Sequence, residues 1–202
     1  MTEDFLKQMQ SFVAESATGP SAIRNQGASG LIASSNEFFK KIELKLIPSD
    51  AKTYAEWLNG TTEALRAMWE ARLTDEEKAK INLQSPFFGV ARKATNLFLR
   101  SAAYNRYLNE AYDLDRHLPL MEVPVDSSVA GCLREHTKQE KKLPDWPGLK
   151  RLTRDQHTEY QEAGTTWAAE LGVHRVDLDA YCYRVKPQTT MNLGELSGEV
   201  MV

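Results

Sequence analysis

Helical periodicity is the feature that most restricts the fold of this 202-residue chain. Apolar residues recur at intervals of three and four, as in the stripe of Phe5, Met9, Phe12 and Val13 near the start. No run of alternating apolar and polar residues is long enough to build a sheet of several strands. The pattern therefore predicts an all-α or nearly all-α protein, and the length suits one domain spanning residues 1–202.

Capping and helix-breaking residues suggest where the helices begin and end. We expect helices over residues 2–16, 27–41, 50–58, 61–71, 74–83, 91–109, 127–136 and 154–171. Ser49 or Asp50 is expected to cap the third of these, the Asn59-Gly60 pair to end it, and Gly172 to end the last. Residues 173–184 fit either a short strand or a final helix.

Cysteine content and hydropathy indicate the setting in which the chain works. Cys132 and Cys182 are too few and too far apart in sequence for a zinc site, an iron-sulfur cluster or a disulfide framework, and they fit a reducing compartment. No stretch of about eighteen apolar residues predicts a membrane span, and residues 1–10 lack a signal-peptide pattern. We expect a cytoplasmic protein with no membrane partner, no metal and no cofactor.

The charge distribution leaves nucleic-acid binding open. The net charge of −3 counts against a generic nucleic-acid binder, because such proteins carry excess lysine and arginine to meet phosphates. Residues 134–154 are nevertheless basic, and the predicted helix over 91–109 carries a second basic set. The basic residues are Arg134, Lys138, Lys141, Lys142, Lys150, Arg151 and Arg154, and then Arg92, Lys93, Arg100 and Arg106. Ordinary solvated helix faces remain the alternative interpretation of both sets.

Two short segments carry the most specific signal. Residues 88–96 read Phe-Gly-Val-Ala-Arg-Lys-Ala-Thr-Asn, and residues 123–129 read Val-Pro-Val-Asp-Ser-Ser-Val. They resemble, in the same order, the hairpin and the Pro-Val-Asp signatures of the helix-hairpin-helix DNA glycosylase superfamily (HhH-GPD). The long interval between Lys93 and Asp126 is closest to the spacing in its archaeal 8-oxoguanine glycosylase branch. The resemblance covers residues 85–133, about a quarter of the chain.

The chain departs from these signatures at three positions. Phe88 stands where the family has proline, Ala91 where it has the second glycine, and Ser128 where it has histidine. The changes in the hairpin restrict how closely its backbone can approach a phosphate. No four-cysteine cluster follows Asp126, which excludes the iron-sulfur branch.

The resemblance implies a fold and an activity. It implies a two-lobed helical fold with the active-site cleft between the lobes, formed by residues 1–85 with 145–202 and by residues 86–144. It also implies a DNA base-excision N-glycosylase that acts on a flipped-out modified or damaged base, with or without lyase activity at abasic (AP) sites. DNA is the expected partner.

The resemblance also assigns roles to particular residues. Lys93 is the expected amine nucleophile, and Asp126 is the carboxylate that stabilises positive charge on the sugar. The backbone amides near Gly89 and Val90, with Ala91 and Arg92, are the expected contacts to DNA phosphate. For Asp126 the alternative is a helix N-cap, and for Lys93 a solvated lysine or a phosphate contact.

Two further segments are candidates for a base pocket. One contains Arg24, Asn25 and Gln26, whose side chains can read a base edge, and the other contains Asp177 and Asp179. The alternative is a capped surface turn for the first segment, and a helix cap or a salt-bridge partner for Asp177 or Asp179.

Two other functions fit the same sequence. One is a DNA base hypermodification enzyme of the α-glutamyl/putrescinyl thymine pyrophosphorylase group. The other is a non-catalytic helix-hairpin-helix module that holds DNA for a partner.

Overall fold

The structure, a computed structural model, describes residues 1–19, 31–74, 76, 87–137 and 142–184. Within these residues the chain forms eight α-helices and no strand, which confirms the all-α prediction. They are α1 (Glu3–Ala17), α2 (Leu31–Lys40), α3 (Ala51–Glu70), α4 (Phe88–Tyr104), α5 (Arg106–Tyr112), α6 (Ser127–Thr137), α7 (Arg154–Leu171) and α8 (Leu178–Arg184). Short 3-10 helices lie at Leu44–Leu46, Leu114–His117, Leu149–Arg151 and Arg175–Asp177. No helix in the described ranges is long and apolar enough to cross a membrane.

Several helix ends follow from local capping chemistry. The Asp50 carboxylate accepts a hydrogen bond from the Thr53 amide at the start of α3, as predicted. Thr153 and Gln156 form a capping box at the start of α7. Gly172 ends that helix in the left-handed conformation, with φ of 68°. The end of α7 was therefore predicted correctly.

Two predicted helix boundaries are wrong. The Asn59-Gly60 pair does not end a helix, because α3 runs from Ala51 to Glu70. Leu58, before the pair in sequence, and Leu65, after it, are both buried on the same face of α3. The packing of this continuous face outweighs the small cost of an exposed glycine within the helix. The predicted helix over 91–109 is divided at Asn105, which leaves helical conformation and caps α5. The predicted helix over 74–83 lies largely outside the described residues.

The buried apolar side chains form two clusters. The first combines α1 to α5 and includes Phe39, Trp69 and Phe98. The second combines residues 123–125 with α6, α7 and α8, and includes Leu133 and Tyr160. The chain passes from one cluster to the other in the irregular segment 121–126.

The two cysteines meet in the second cluster. Cys182 on α8 is buried there and Cys132 on α6 packs against it, close enough for the two thiols to share a hydrogen bond. Burial raises the pKa of the Cys182 thiol, and the bond to Cys132 raises it further. Both are free thiols, so their contact is packing between α6 and α8.

Candidate active site

Lys93 and Asp126 meet although 33 residues separate them in sequence. Lys93 lies in the second turn of α4, where it is 8% exposed. Its Nζ donates a hydrogen bond to Asp126 Oδ2 at 3.0 Å, and the two form an ion pair. The pair joins α4, which packs in the first cluster, to the start of α6 in the second.

Asp126 uses its two carboxylate oxygens differently. Oδ1 accepts hydrogen bonds from the backbone amides of Ser128 and Val129, at 2.8 and 3.1 Å. Asp126 is therefore the N-cap of α6, and its carboxylate is held in one orientation. Oδ2 faces Lys93, so the capping role and the contact with the lysine coexist in one side chain.

The irregular segment 121–126 is fixed by side chains of α7 and of α4. From α7, the Gln161 side-chain amide pairs with the backbone of Val123, accepting from its N–H at 3.1 Å and donating to its carbonyl at 2.8 Å. From α4, the Arg92 guanidinium makes two bonds to the Glu122 carboxylate, at 2.7 and 2.8 Å. Two adjacent residues of α4, Arg92 and Lys93, thus hold two acids four residues apart.

A buried charge network surrounds Glu122. Its carboxylate also accepts a hydrogen bond from Asn96, and His157 Nε2 lies 3.5 Å away. Burial raises the pKa of Glu122, but the positive charges on His157, which is protonated only below about pH 4, and on Arg92 lower it by more, to about 2. Burial lowers the pKa of His157 to about 4, against the opposing effect of Glu122. The network therefore keeps an ionised carboxylate beside a neutral imidazole at neutral pH.

Lys93 and Asp126 open into a cavity of about 520 Å³, here called the Lys93 cavity. This volume lies within the range of about 300–1,000 Å³ that is usual for small-molecule sites. Its remaining lining comes from Ser127 and from six consecutive residues of the loop between α6 and α7, Trp146, Pro147, Gly148, Leu149, Lys150 and Arg151. The Trp146 ring meets the Tyr160 ring edge to face, and the Tyr160 hydroxyl donates to the Pro144 carbonyl. The lining of the cavity thus includes an amine, a carboxylate and an aromatic ring.

The four residues predicted to bind DNA phosphate lie in the interior. Gly89, Val90, Ala91 and Arg92 are all buried in the first turns of α4. Arg92 also donates to the Thr62 hydroxyl at 3.0 Å, in addition to its bonds with Glu122. Their contact with DNA stays a prediction, and in this conformation none of them faces solvent.

The candidate base-pocket residues lie elsewhere or outside the described residues. The Asp177 carboxylate accepts from the His174 backbone amide at 2.9 Å and from the Tyr104 hydroxyl. Asp179 pairs with Arg100 in a groove between α1, α4 and α8. Neither is among the residues that line the Lys93 cavity. Arg24, Asn25 and Gln26 lie outside the described residues.

Known proteins offer no further guide. No protein-family model, curated protein or solved structure matches the chain. The geometry of Lys93, Asp126 and their cavity is therefore the basis for an assignment of function.

Sequence reasoning missed Glu122, His157 and Gln161. Glu122 lies directly before the segment 123–129 that carries the Pro-Val-Asp signature, and an acid so close to that signature was the signal available for it. The sequence held no comparable signal for His157 or Gln161, because a single glutamine or histidine on a helix is ordinary.

Proposed function

We propose that the chain is a DNA base-excision N-glycosylase whose nucleophile is Lys93. The observation that supports this most is the contact of 3.0 Å between Lys93 Nζ and Asp126 Oδ2 at the wall of the Lys93 cavity. An amine and an oriented carboxylate beside a cavity with an aromatic wall are the groups that such a reaction needs.

Each group has a defined part in the proposed reaction. In the resting state Lys93 is the ammonium partner of Asp126, so it first gives up one proton, through Asp126 to solvent. The amine that results attacks C1′ of the deoxyribose, and the bond from C1′ to the base breaks as its electron pair leaves with the base. The base gains a proton and the amine loses one. Asp126, held by two backbone amides, opposes the positive charge that develops on the sugar. The resulting amine adduct opens to a Schiff base, the intermediate of a lyase step.

The neighbouring pair of Arg92 and Glu122 has a different part in this proposal. An arginine guanidinium stays protonated in proteins and cannot serve as an amine nucleophile. Arg92 and Glu122 therefore position the segment that carries Asp126, and Lys93 performs the chemistry.

The proposal extends to the architecture and the setting. The Lys93 cavity is lined by Lys93 from α4, most of whose buried apolar residues belong to the first core cluster, and by Asp126 and Trp146, of which Trp146 packs against the second. These clusters divide the chain near residue 122, which differs from the expected lobes of residues 1–85 with 145–202 and residues 86–144; we propose that the target base enters between the clusters. DNA is then the partner, and a cytoplasmic location accords with it.

Trapping with borohydride tests the proposal directly. The protein is incubated with oligonucleotides that carry 8-oxoguanine, uracil, thymine glycol, alkylated bases or an abasic site, with borohydride present. We expect a covalent adduct with at least one substrate, because reduction turns the Schiff base into a stable amine. The adduct should disappear in Lys93→Gln, and base release should fall by about a hundredfold or more in Asp126→Asn. Lys52→Gln, an exposed lysine on α3, is the matched control and should react as the wild type.

The other outcomes are equally informative. An altered nucleoside without free base, seen by mass spectrometry, would replace the proposal with the base-modification reaction. DNA binding without any product, unchanged in Lys93→Gln and Asp126→Asn, would replace it with the non-catalytic module. Circular dichroism and thermal unfolding establish beforehand that each variant is folded.

A further inference from the structure

The loop of residues 144–152, here called the 144–152 loop, covers the start of α4. A Cβ atom placed on Gly89 would lie 2.4 Å from the Leu149 carbonyl oxygen and 2.8 Å from Leu152 Cβ. Only a glycine allows the loop backbone to approach so closely. The part of the predicted hairpin that would meet a DNA phosphate is thus in contact with the chain itself.

The loop is anchored at two points and exposed between them. Leu149 packs against the first core cluster, and Leu152 is buried in the second. Lys150 and Arg151 lie between these anchors, are exposed, and line the Lys93 cavity together with Trp146. The two cations of the loop therefore lie where the cavity opens to solvent.

These two cations differ from many others on the surface. Exposed Lys7 pairs with Glu3, and Arg106 pairs with Glu110. Within the described residues, neither Lys150 nor Arg151 forms an ion pair. Asp126 is the only acid among the residues that line the cavity, and it is already paired with Lys93. The mouth of the cavity carries two positive charges without compensation, which favours an anionic ligand.

We propose that the 144–152 loop, and not the start of α4, is the element that binds the phosphodiester backbone of the substrate. Lys150 and Arg151 contact phosphates on either side of the nucleotide whose base enters the cavity beside Trp146. This inference rests on the proposed function for the nature of the ligand, and it adds which element holds the strand. Because phosphate contacts release bound counterions, each of them has a measurable effect on salt dependence.

The test is the salt dependence of binding to an oligonucleotide that cannot react. Fluorescence anisotropy measures the Kd for a labelled strand with a tetrahydrofuran abasic analogue, single-stranded and in a duplex, over a series of salt concentrations. We expect the slope of log Kd against log salt to decrease by about 1.4 for the single strand or 1.8 for the duplex in Lys150→Gln/Arg151→Gln. The charge-matched control is Lys52→Gln/Arg72→Gln, which changes an exposed lysine and an exposed arginine outside the loop. Its slope should equal that of the wild type.

The outcomes separate this inference from the proposed function. If the wild type binds and the loop variant keeps its slope, the loop is not the phosphate anchor, even where Lys93 still releases a base. If the slope decreases as expected but no base is released, the loop assignment holds and the glycosylase proposal fails. If the control lowers the slope as much as the loop variant, binding follows net charge and the inference is overturned. Absence of wild-type binding at about 50 mM salt would overturn both.

Discussion

Gly89 shows how one residue fixes the geometry of the site. We predict that Gly89→Ala destabilises the protein by about 1–3 kcal/mol, because its Cβ would overlap the Leu149 carbonyl and force the loop away from α4. Urea unfolding measures this difference. The same substitution should enlarge the Lys93 cavity and weaken oligonucleotide binding, since the loop carries Lys150 and Arg151.

Gly60 provides the matched control for Gly89. It lies within α3, it is exposed, and a Cβ placed there would meet nothing within 4 Å. Gly60→Ala should therefore stabilise the protein by about 0.5–1 kcal/mol through helix propensity alone. If Gly89→Ala were also stabilising, the close approach of the loop to α4 would be incorrect.

At the scale of elements, Asp126 has two separable roles, as the cap of α6 and as the partner of Lys93. We predict that Asp126→Asn keeps the cap, because an asparagine oxygen can accept the same two amide bonds, but loses the ion pair. Asp126→Ala loses both, so it should be less stable than Asp126→Asn by about 1 kcal/mol. Urea unfolding of the two variants gives this difference.

Asn105 is a second capping residue, and its substitution measures how much stability the loss of a cap alone costs in this protein. Its side chain accepts hydrogen bonds from Tyr107 and Leu108, two and three residues ahead, as Asp126 does from Ser128 and Val129. Asparagine is uncharged and forms no ion pair, so Asn105→Ala should cost the cap alone, about 1 kcal/mol. Equal stability of Asp126→Ala and Asp126→Asn would show that Asp126 does not cap α6.

The elements also show what sequence patterns could and could not predict. Both ends of helix α7 were predicted, and the Gly172 capping signal gave its C-terminal end. Lys93 and Asp126, which the resemblance pairs as catalytic residues, are in contact, and their role stays a prediction. The break at Asn105 and the continuity through Gly60 depend on which faces are buried, and packing decides this. Contact between the 144–152 loop and Gly89 could not be predicted, because no local pattern relates two segments about sixty residues apart.

For the whole molecule, the pH dependence of stability should follow the buried network around Glu122. His157 has its pKa lowered to about 4 by burial, whereas an exposed histidine has a pKa of about 6.5. As the pH falls from 6.5 to 4, the unfolded chain therefore gains a proton at this residue that the folded chain does not. Unfolding becomes easier across this window, by up to about 3 kcal/mol. Glu122, whose pKa is lowered to about 2, adds a further loss only below pH 4.5.

Replacing His157 with glutamine isolates its contribution. Urea unfolding at pH 7.0, 6.0 and 5.0 should show a clear fall in the free energy of unfolding of the wild type and a much smaller fall in His157→Gln. Burial, together with Arg116, also lowers the pKa of His117, so His117→Gln is the necessary comparison. It should remove its own part of the pH dependence, of the same sign, because the His117 pKa is lowered as well. If His157→Gln kept the full wild-type dependence between pH 7.0 and 5.0, the imidazole could not be neutral in the folded state. The electrostatic account of how segment 121–126 is held would then have to be abandoned.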